Sequence, residues 1–315
     1  MGFVLATFNV QDFFDPTTDD ERRRFERRAA HLASIVRASE ADVLALQEVG
    51  SEATVRALAT AIGPDFAAGT AVVGAPDTRG IRNAILTRAK VTRSRTHASA
   101  DLPFPSFAKG GERMFDVALP LRRALVDVEV DAGSFGRIRV LSCHFKSRRA
   151  VFLKDPAETD PTSDGIPPGT LLEWAEADVR SLVFRAAEGL FVRRVVDGIV
   201  ATDPDVGIAV MGDLNDTVDS VPVACVRGRR ARDGASHPAP GVLHGCEDLV
   251  PEARRFSIVH GGKRAQIDHV LLSDRLRARV TSAAFSNEDL RDHAEDPASG
   301  PALDSDHALY AVRLG

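Results

Sequence analysis

Apolar residues along the chain follow two periods. Alternating or continuous apolar runs bounded by polar, Gly or Pro clusters predict strands at 3–10, 42–46, 71–73, 83–87, 125–130, 138–142, 206–210, 266–272 and 307–312. Apolar residues three and four apart predict helices over 19–38, 52–62 and 171–200. In the first of these, Phe25, Ala29, Leu32, Ile35 and Val36 form the apolar stripe, Thr17, Thr18 or Asp19 can cap it, and the arginines among Arg22 to Arg28 read as its solvated face. Strands dominate between 71 and 142, separated by Gly, Pro and charged turns, which points to antiparallel pairing rather than regular βαβ repeats. Residues 102–111 read as a loop. A longer irregular piece, about 148–170, carries Pro156, Pro161, Pro167 and Pro168 and reads as an insertion in one domain spanning 1–315.

The apolar runs end in a particular way. Asn9, Glu48, His144, Asp213 with Asn215, and Asp306-His307 each stand at the end or start of a strand pattern, and Asp268 lies inside another. The sharpest case is Val210-Met211-Gly212-Asp213-Leu214-Asn215-Asp216. Strand alternation would put Asp213 and Asn215 on one face, and Gly212 lets the backbone pass close to a neighbour. The same residues are also turn composition. Strand ends that gather carboxylates, amides and histidines build concave α/β sites, so the set as a whole points to chemistry.

Composition narrows the class. A chain of 315 residues, 44% hydrophobic and 27% charged, can bury a large core. The formal net charge of −5 means that a polyanion would need a local basic groove, since no global field attracts it. Cys143, Cys225 and Cys246 are too few and too scattered for a disulfide framework or zinc knuckle and read as small buried residues. No stretch approaches the ~20 apolar residues of a membrane span. The first apolar run begins at Phe3 without a basic leader, so a cytoplasmic location is expected.

Taken in order, Thr7-Phe8-Asn9-Val10, Leu46-Gln47-Glu48-Val49, Cys143-His144-Phe145-Lys146-Ser147, Met211-Gly212-Asp213-Leu214-Asn215-Asp216, Ile267-Asp268-His269 and Ser305-Asp306-His307 resemble the signature blocks of the endonuclease/exonuclease/phosphatase superfamily, the DNase I-like fold. The resemblance implies a four-layer α/β sandwich, two packed mixed β-sheets flanked by helices, with the active site in a cleft at one sheet edge. It also implies divalent-metal-dependent cleavage of a phosphoester. The leading expectation is a nuclease acting on nucleic acid. A phosphatase or a lipid- or inositol-type phosphodiesterase acting on a small phosphoester is the alternative, and a catalytically silent binding scaffold a further one.

Glu48 is the expected principal ligand of Mg²⁺ or Mn²⁺, since hard cations prefer carboxylate oxygen, with Asn9 and Asp306 as helpers. By resemblance, Asp213 and Asn215 orient the attacking water and bind a phosphate oxygen, while Asp268 orients His307. His144 faces the phosphate from the other side as general acid or hydrogen-bond donor. The carboxylate that supports this histidine in DNase I-like members has no counterpart at Arg82-Asn83-Ala84-Ile85. Arg122 or Arg123 stands where family members often place a phosphate-binding arginine, and Lys146 should share the face of His144. Arg148, Arg149 and His260 are further candidates at the cleft; His31, His97, His237, His244 and His293 read as surface residues.

Overall fold

In the computed structural model the structure describes residues 2–98, 102–105, 119–153, 170–228, 241–292 and 303–315. In chain order these form β1 (Phe3–Phe13), α1 (Asp19–Ser39), β2 (Val43–Val49), α2 (Glu52–Ile62), α3 (Pro64–Ala67), β3 (Thr70–Val73), β4 (Arg82–Thr87), β5 (Lys90–His97), β6 (Leu125–Asp131), β7 (Arg137–His144), α4 (Leu171–Thr202), β8 (Gly207–Asp213) and α5 (Val221–Arg227). They continue with β9 (Leu243–His244), β10 (Ile258–His260), β11 (Lys263–Ala265), β12 (Asp268–Ser273), α6 (Asp274–Arg277), β13 (Val280–Phe285) and β14 (Tyr310–Leu314). The three longer helices start where the chain supplies capping boxes: Thr18 with Glu21, Ser51 with Thr54, and Thr170 with Glu173.

Two mixed sheets of six strands result, ordered β13-β14-β1-β2-β4-β3 and β5-β6-β7-β8-β12-β9. β1/β2 and β7/β8 are the parallel pairs, crossed over by α1 and α4 respectively, and the other pairs in both sheets are antiparallel. Alternation then sorts the side chains into layers. Along β1, Phe3 and Leu5 enter the core between the sheets with Val43, Val128, Val140, Met211 and Val270, whereas Val4, Ala6, Phe8 and Val10 pack beneath α1 and α2 with Leu32, Val36 and Leu58. The outer face of the second sheet, Leu141, Ile208, Val210 and Leu271, packs on Val192, Val196 and Ile199 of α4 and Val223 of α5. The architecture is therefore the four-layer α/β sandwich that the sequence blocks imply.

Several boundaries differ from the periodicity. β5 and β13 carry no apolar alternation. β5 is an edge strand with Lys90, Arg93 and Arg95 exposed, which a sheet edge tolerates and which discourages pairing with another chain. The last strand begins at Tyr310, three residues after His307, because His307 instead bridges to Ile258. Of the irregular stretch at 148–170, residues 154–169 lie outside those described, with Asp155, Glu158, Asp160 and Asp164 among them; so do most of the 102–111 loop, His237 and His293. Among the described residues no helix is long and apolar enough to cross a membrane.

Candidate active site

The inter-sheet core turns polar at one end, and the candidate residues stand there. On the inner face of β7 the row Ile138, Val140, Ser142 ends in His144, and on β8 the row Ala209, Met211 ends in Asp213. His144 is the register partner of Asp213 across the parallel pair, and Asp213 is the partner of Asp268 across the antiparallel one. One cross-strand row thus delivers an imidazole and two carboxylates side by side. Asn9 ends the corresponding row of β1, after Phe3, Leu5 and Thr7. Gln47 links the sheets below this level, accepting from Thr7 Oγ1 at 3.2 Å and donating to Ser142 Oγ at 3.3 Å, so in the Gln-Glu block the glutamine serves the interior.

Two residues reach the site by left-handed backbone rather than by alternation. Glu48 would follow Leu44 and Leu46 onto the helix-covered face, but at φ 63° its side chain comes instead to Asn9, with Oε1 3.3 Å from Nδ2. Asn215 does not continue the strand as alternation would require. β8 ends at Asp213, and Asn215, at φ 51°, donates its N–H to Asp213 Oδ1 at 2.8 Å in an Asx turn and its amide to Phe145 O at 3.0 Å. Turn and site are here the same feature. Gly212 fits its expected use: at φ 142°, a Cβ there would lie 1.9 Å from Cys143 O on β7.

Asp213 is the centre of the arrangement. Its Oδ2 accepts from Asn9 Nδ2 at 3.1 Å and Asn215 Nδ2 at 3.2 Å, and lies 3.4 Å from His144 Nε2 and 3.9 Å from His307 Nε2. Burial raises its carboxyl to about 7, and the nearby Asp268 charge adds to the rise. His307 donates from Nδ1 to Asp268 Oδ2 at 2.7 Å. Burial alone would lower that imidazole, but Asp268 and Asp213 outweigh it and hold the value well above the ordinary one. His144 goes the other way: burial, then Arg123 and His307, push it well below its usual range, and its buried Nδ1 has no partner. A neutral and a cationic histidine therefore flank one carboxyl group, a separation of proton affinities typical of acid–base sites.

The Ser305-Asp306-His307 block is held from the first strand. Ser305 Oγ donates to Asn9 O at 2.7 Å and accepts from His307 N–H at 3.1 Å, while Asp306 N–H donates to Gln11 Oε1 at 3.2 Å. Asp306 Oδ1 is buried without a hydrogen-bond partner, 3.9 Å from His307 Nε2. A buried carboxylate oxygen without a hydrogen-bond donor is a group that suits a hard divalent cation. Asn9 has a different geometry from that of a simple ligand: its NH₂ group ties Glu48 to Asp213, and its Oδ1 accepts from Gln11 N–H at 3.0 Å. Asp213, Asp268 and His307 also place one ligand atom each within 4.8 Å of one another; the hydrogen bond between the last two uses His307 Nδ1 and Asp268 Oδ2, and Asp268 Oδ1 is buried without a hydrogen-bond partner.

The basic candidates are largely committed elsewhere. Arg123 is buried, paired with Asp77 at 3.0 Å and donating to Phe145 O at 3.1 Å. Exposed Arg122 lies over the Phe184 ring, 4.6 Å from its centroid. Lys146 lies past the end of β7 and turns Nζ onto Ser147 O, Ser147 Oγ and Arg149 O. Arg148 pairs with Asp216, and His260 is exposed on β10. His97 and His244, read from sequence as surface residues, are half-buried against Asp127 and Asp274.

Sequence reasoning passed over Arg28, Glu188 and Arg185. Arg28 is not on a solvated face: its guanidinium donates to backbone carbonyls of β1. Its spacing from Phe25 and Leu32, three and four residues along the apolar stripe, is the signal that marks it as inward-facing. Glu188 and Arg185 of α4 are buried; Glu188 Oε2 accepts from Lys146 N–H at 2.7 Å, and Arg185 reaches Asp216 Oδ2 at 3.0 Å and Ser147 O at 3.1 Å. Their spacing carries the same signal as that of Arg28, since Ala177, Ser181, Arg185, Glu188, Val192, Val196 and Ile199 follow one another at three- and four-residue steps.

Comparison with known proteins places this geometry. A family model described as "Endonuclease/Exonuclease/phosphatase family" matches residues 6–307. No curated protein matches the chain. Among solved structures, humanized D. rerio TDP2 is similar with a TM-score of 0.59 at 16% identity, over 100% of this chain and 99% of that one. Truncated Caenorhabditis elegans TDP2 has a TM-score of 0.58 at 15% identity, over 100% and 97%. An endonuclease/exonuclease/phosphatase from Bacteroides vulgatus has 0.59 at 15% identity, over 100% and 99%. At these identities the likeness is one of fold.

Proposed function

We propose, from the premise that the chain belongs to the endonuclease/exonuclease/phosphatase family, that it is a divalent-metal-dependent phosphodiesterase that cleaves nucleic-acid phosphodiester bonds. The observation that carries the reading is the environment of Asp213 Oδ2, with two amide donors and two imidazole Nε2 atoms of opposite proton affinity within 3.9 Å. A phosphodiester is anionic, so its hydrolysis needs an aligned water, an acceptor for that water's proton and positive charge around the phosphoryl oxygens. Asp213, with a raised proton affinity, takes the water's proton at Oδ2, while the amide of Asn215 helps to hold that carboxylate in place. His307, kept protonated by Asp268, presents a cationic Nε2 to the same space. His144, neutral, offers Nε2–H as an uncharged donor from the opposite strand. Glu48 and Asp306 would hold the Mg²⁺ or Mn²⁺ ion, with Asn9 fixing Glu48. That ion, when bound, neutralises phosphoryl charge.

A second reading, a small phosphoester as substrate, is favoured by the commitment of Arg123 to Asp77, Arg148 to Asp216 and Lys146 to its own loop. A long polyanion needs free cations along its track. The two readings separate in one assay: cleavage of plasmid, a single-stranded oligonucleotide, bis-p-nitrophenyl phosphate and p-nitrophenyl phosphate over a salt series, with and without chelator. Chelator-sensitive cleavage of a nucleic acid, weakened by salt, is the expected result. Turnover of a small ester alone at low salt transfers the assignment to the second reading, and activity indifferent to chelator removes the metal.

A further inference from the structure

A strained turn interrupts β1 beside the candidate site. Gln11 and Asp12 both have φ 46°, a region that side-chain-bearing residues disfavour, and the register between β1 and β2 shifts between Asn9 and Phe13. Each residue of this bulge touches the proposed metal set. Gln11 N–H donates to Asn9 Oδ1 at 3.0 Å, Gln11 Oε1 accepts from Asp306 N–H at 3.2 Å, and Asp12 N–H donates to Glu48 Oε2 at 3.0 Å. The bulge is thereby hydrogen-bonded to Asn9, Glu48 and Asp306 alike.

One side chain holds the bulge from outside. Arg28, on α1, shares the hydrogens of one terminal nitrogen among Val10 O at 2.6 Å, Gln11 O and Asp304 O at 3.3 Å, and gives the other to Asp12 O at 3.3 Å. Its guanidinium also lies 5.8 Å from the centroid of the Phe13 ring. The acceptors come from two distant segments, the bulge and the residue immediately before Ser305-Asp306-His307. A planar guanidinium with several fixed donors can join two segments in this way, whereas an ammonium group, a point charge on a flexible stem, cannot fix both.

We propose that Arg28 is a positioning residue for the metal-binding groups, pinning the Gln11–Asp12 bulge to the Asp304 carbonyl so that Glu48 and Asp306 face one ion. The proposal rests on the metal reading given above. Loss of partners that orient metal ligands costs about 10- to 100-fold in metal affinity. The experiment is direct titration of metal-free protein with Mn²⁺, followed by electron paramagnetic resonance, for wild type, Arg28→Met, Arg28→Ala and Glu48→Gln, with circular dichroism as a check of folding. Arg28→Met keeps much of the apolar stem and removes the donors. The expected result is a Kd raised by roughly 10- to 100-fold in Arg28→Met, with methylguanidinium restoring affinity to Arg28→Ala but leaving Glu48→Gln unaffected. Turnover of bis-p-nitrophenyl phosphate should then recover at high Mn²⁺ with KM for the ester unchanged. If Arg28→Met does not fold, Arg28→Lys replaces it and should still bind Mn²⁺ more weakly than wild type. Wild-type affinity at position 28 together with loss in Glu48→Gln overturns the role of Arg28 alone; wild-type affinity in both overturns the metal reading and the proposal with it.

Discussion

His144 and Asp213 are register partners on the parallel strands β7 and β8, and their side chains meet with Nε2 3.4 Å from Oδ2. Backbone pairing, rather than any loop, fixes this contact. Parallel strands place paired side chains on the same face, and both residues end rows that are otherwise apolar.

Since burial holds His144 neutral, it should act without changing charge in the working pH range. His144→Gln is expected to lower kcat by about 100-fold, the usual cost of losing one transition-state donor, while leaving the shape of the pH–rate profile intact. The profile of the variant checks this: disappearance of an acid limb would show that His144 titrates during turnover.

His307 should behave in the opposite way. Burial lowers its proton affinity, and Asp268 with Asp213 restores more than is lost, so the imidazolium persists above the ordinary value. Asp268→Asn removes the first of those charges. The protonated form is then lost at lower pH, so the alkaline limb of kcat/KM should move to lower pH and turnover near neutrality should fall by about 10²- to 10⁴-fold. An alkaline limb that stays in place would remove His307 from the role of cationic partner.

Glu188 offers a test of linkage away from the proposed chemistry. It is 1% exposed, and burial raises its carboxyl from 4.5 to about 7. A raised folded value means that this group's contribution is fully present below about 4.5 and is lost as pH rises through about 7. Glu188→Gln keeps an oxygen for Lys146 N–H and escapes that loss. The variant should match wild type near pH 4 and become progressively more stable than it up to pH 7, by at most about 3 kcal/mol at roughly 1.4 kcal/mol per pH unit of displacement. Urea denaturation at several pH values measures the difference; a constant gap would show that Glu188 does not titrate on unfolding.

Gly212→Ala should be severe. The new Cβ would meet the Cys143 carbonyl at 1.9 Å, and the backbone sits at φ 142°. Separating β7 from β8 there also separates His144 from Asp213. A loss of about 3 kcal/mol or more is expected, together with loss of activity in whatever protein remains folded. Near-native stability by denaturant titration would contradict the close approach.

By itself the sequence determined the elements with strong periodicity and the identity of the polar residues at their ends. The run 3–10, the helix over 52–62 and the blocks around Glu48, Asp213 and His307 were legible because burial on defined faces demands defined spacings. Only the tertiary structure decided which side chains meet. Glu48 reaches Asn9 because a single left-handed residue takes it off the face that alternation assigns, and Asn215 joins Asp213 through a turn rather than a strand. Arg123 pairs with Asp77, 46 residues earlier, and the fold brings the carbonyls of Val10, Gln11, Asp12 and Asp304 around Arg28, partnerships that no local spacing shows. Local spacing reports the face a residue occupies along its own element, but the protonation of His144 and His307 depends on charges and burial supplied by other strands, which no local pattern encodes.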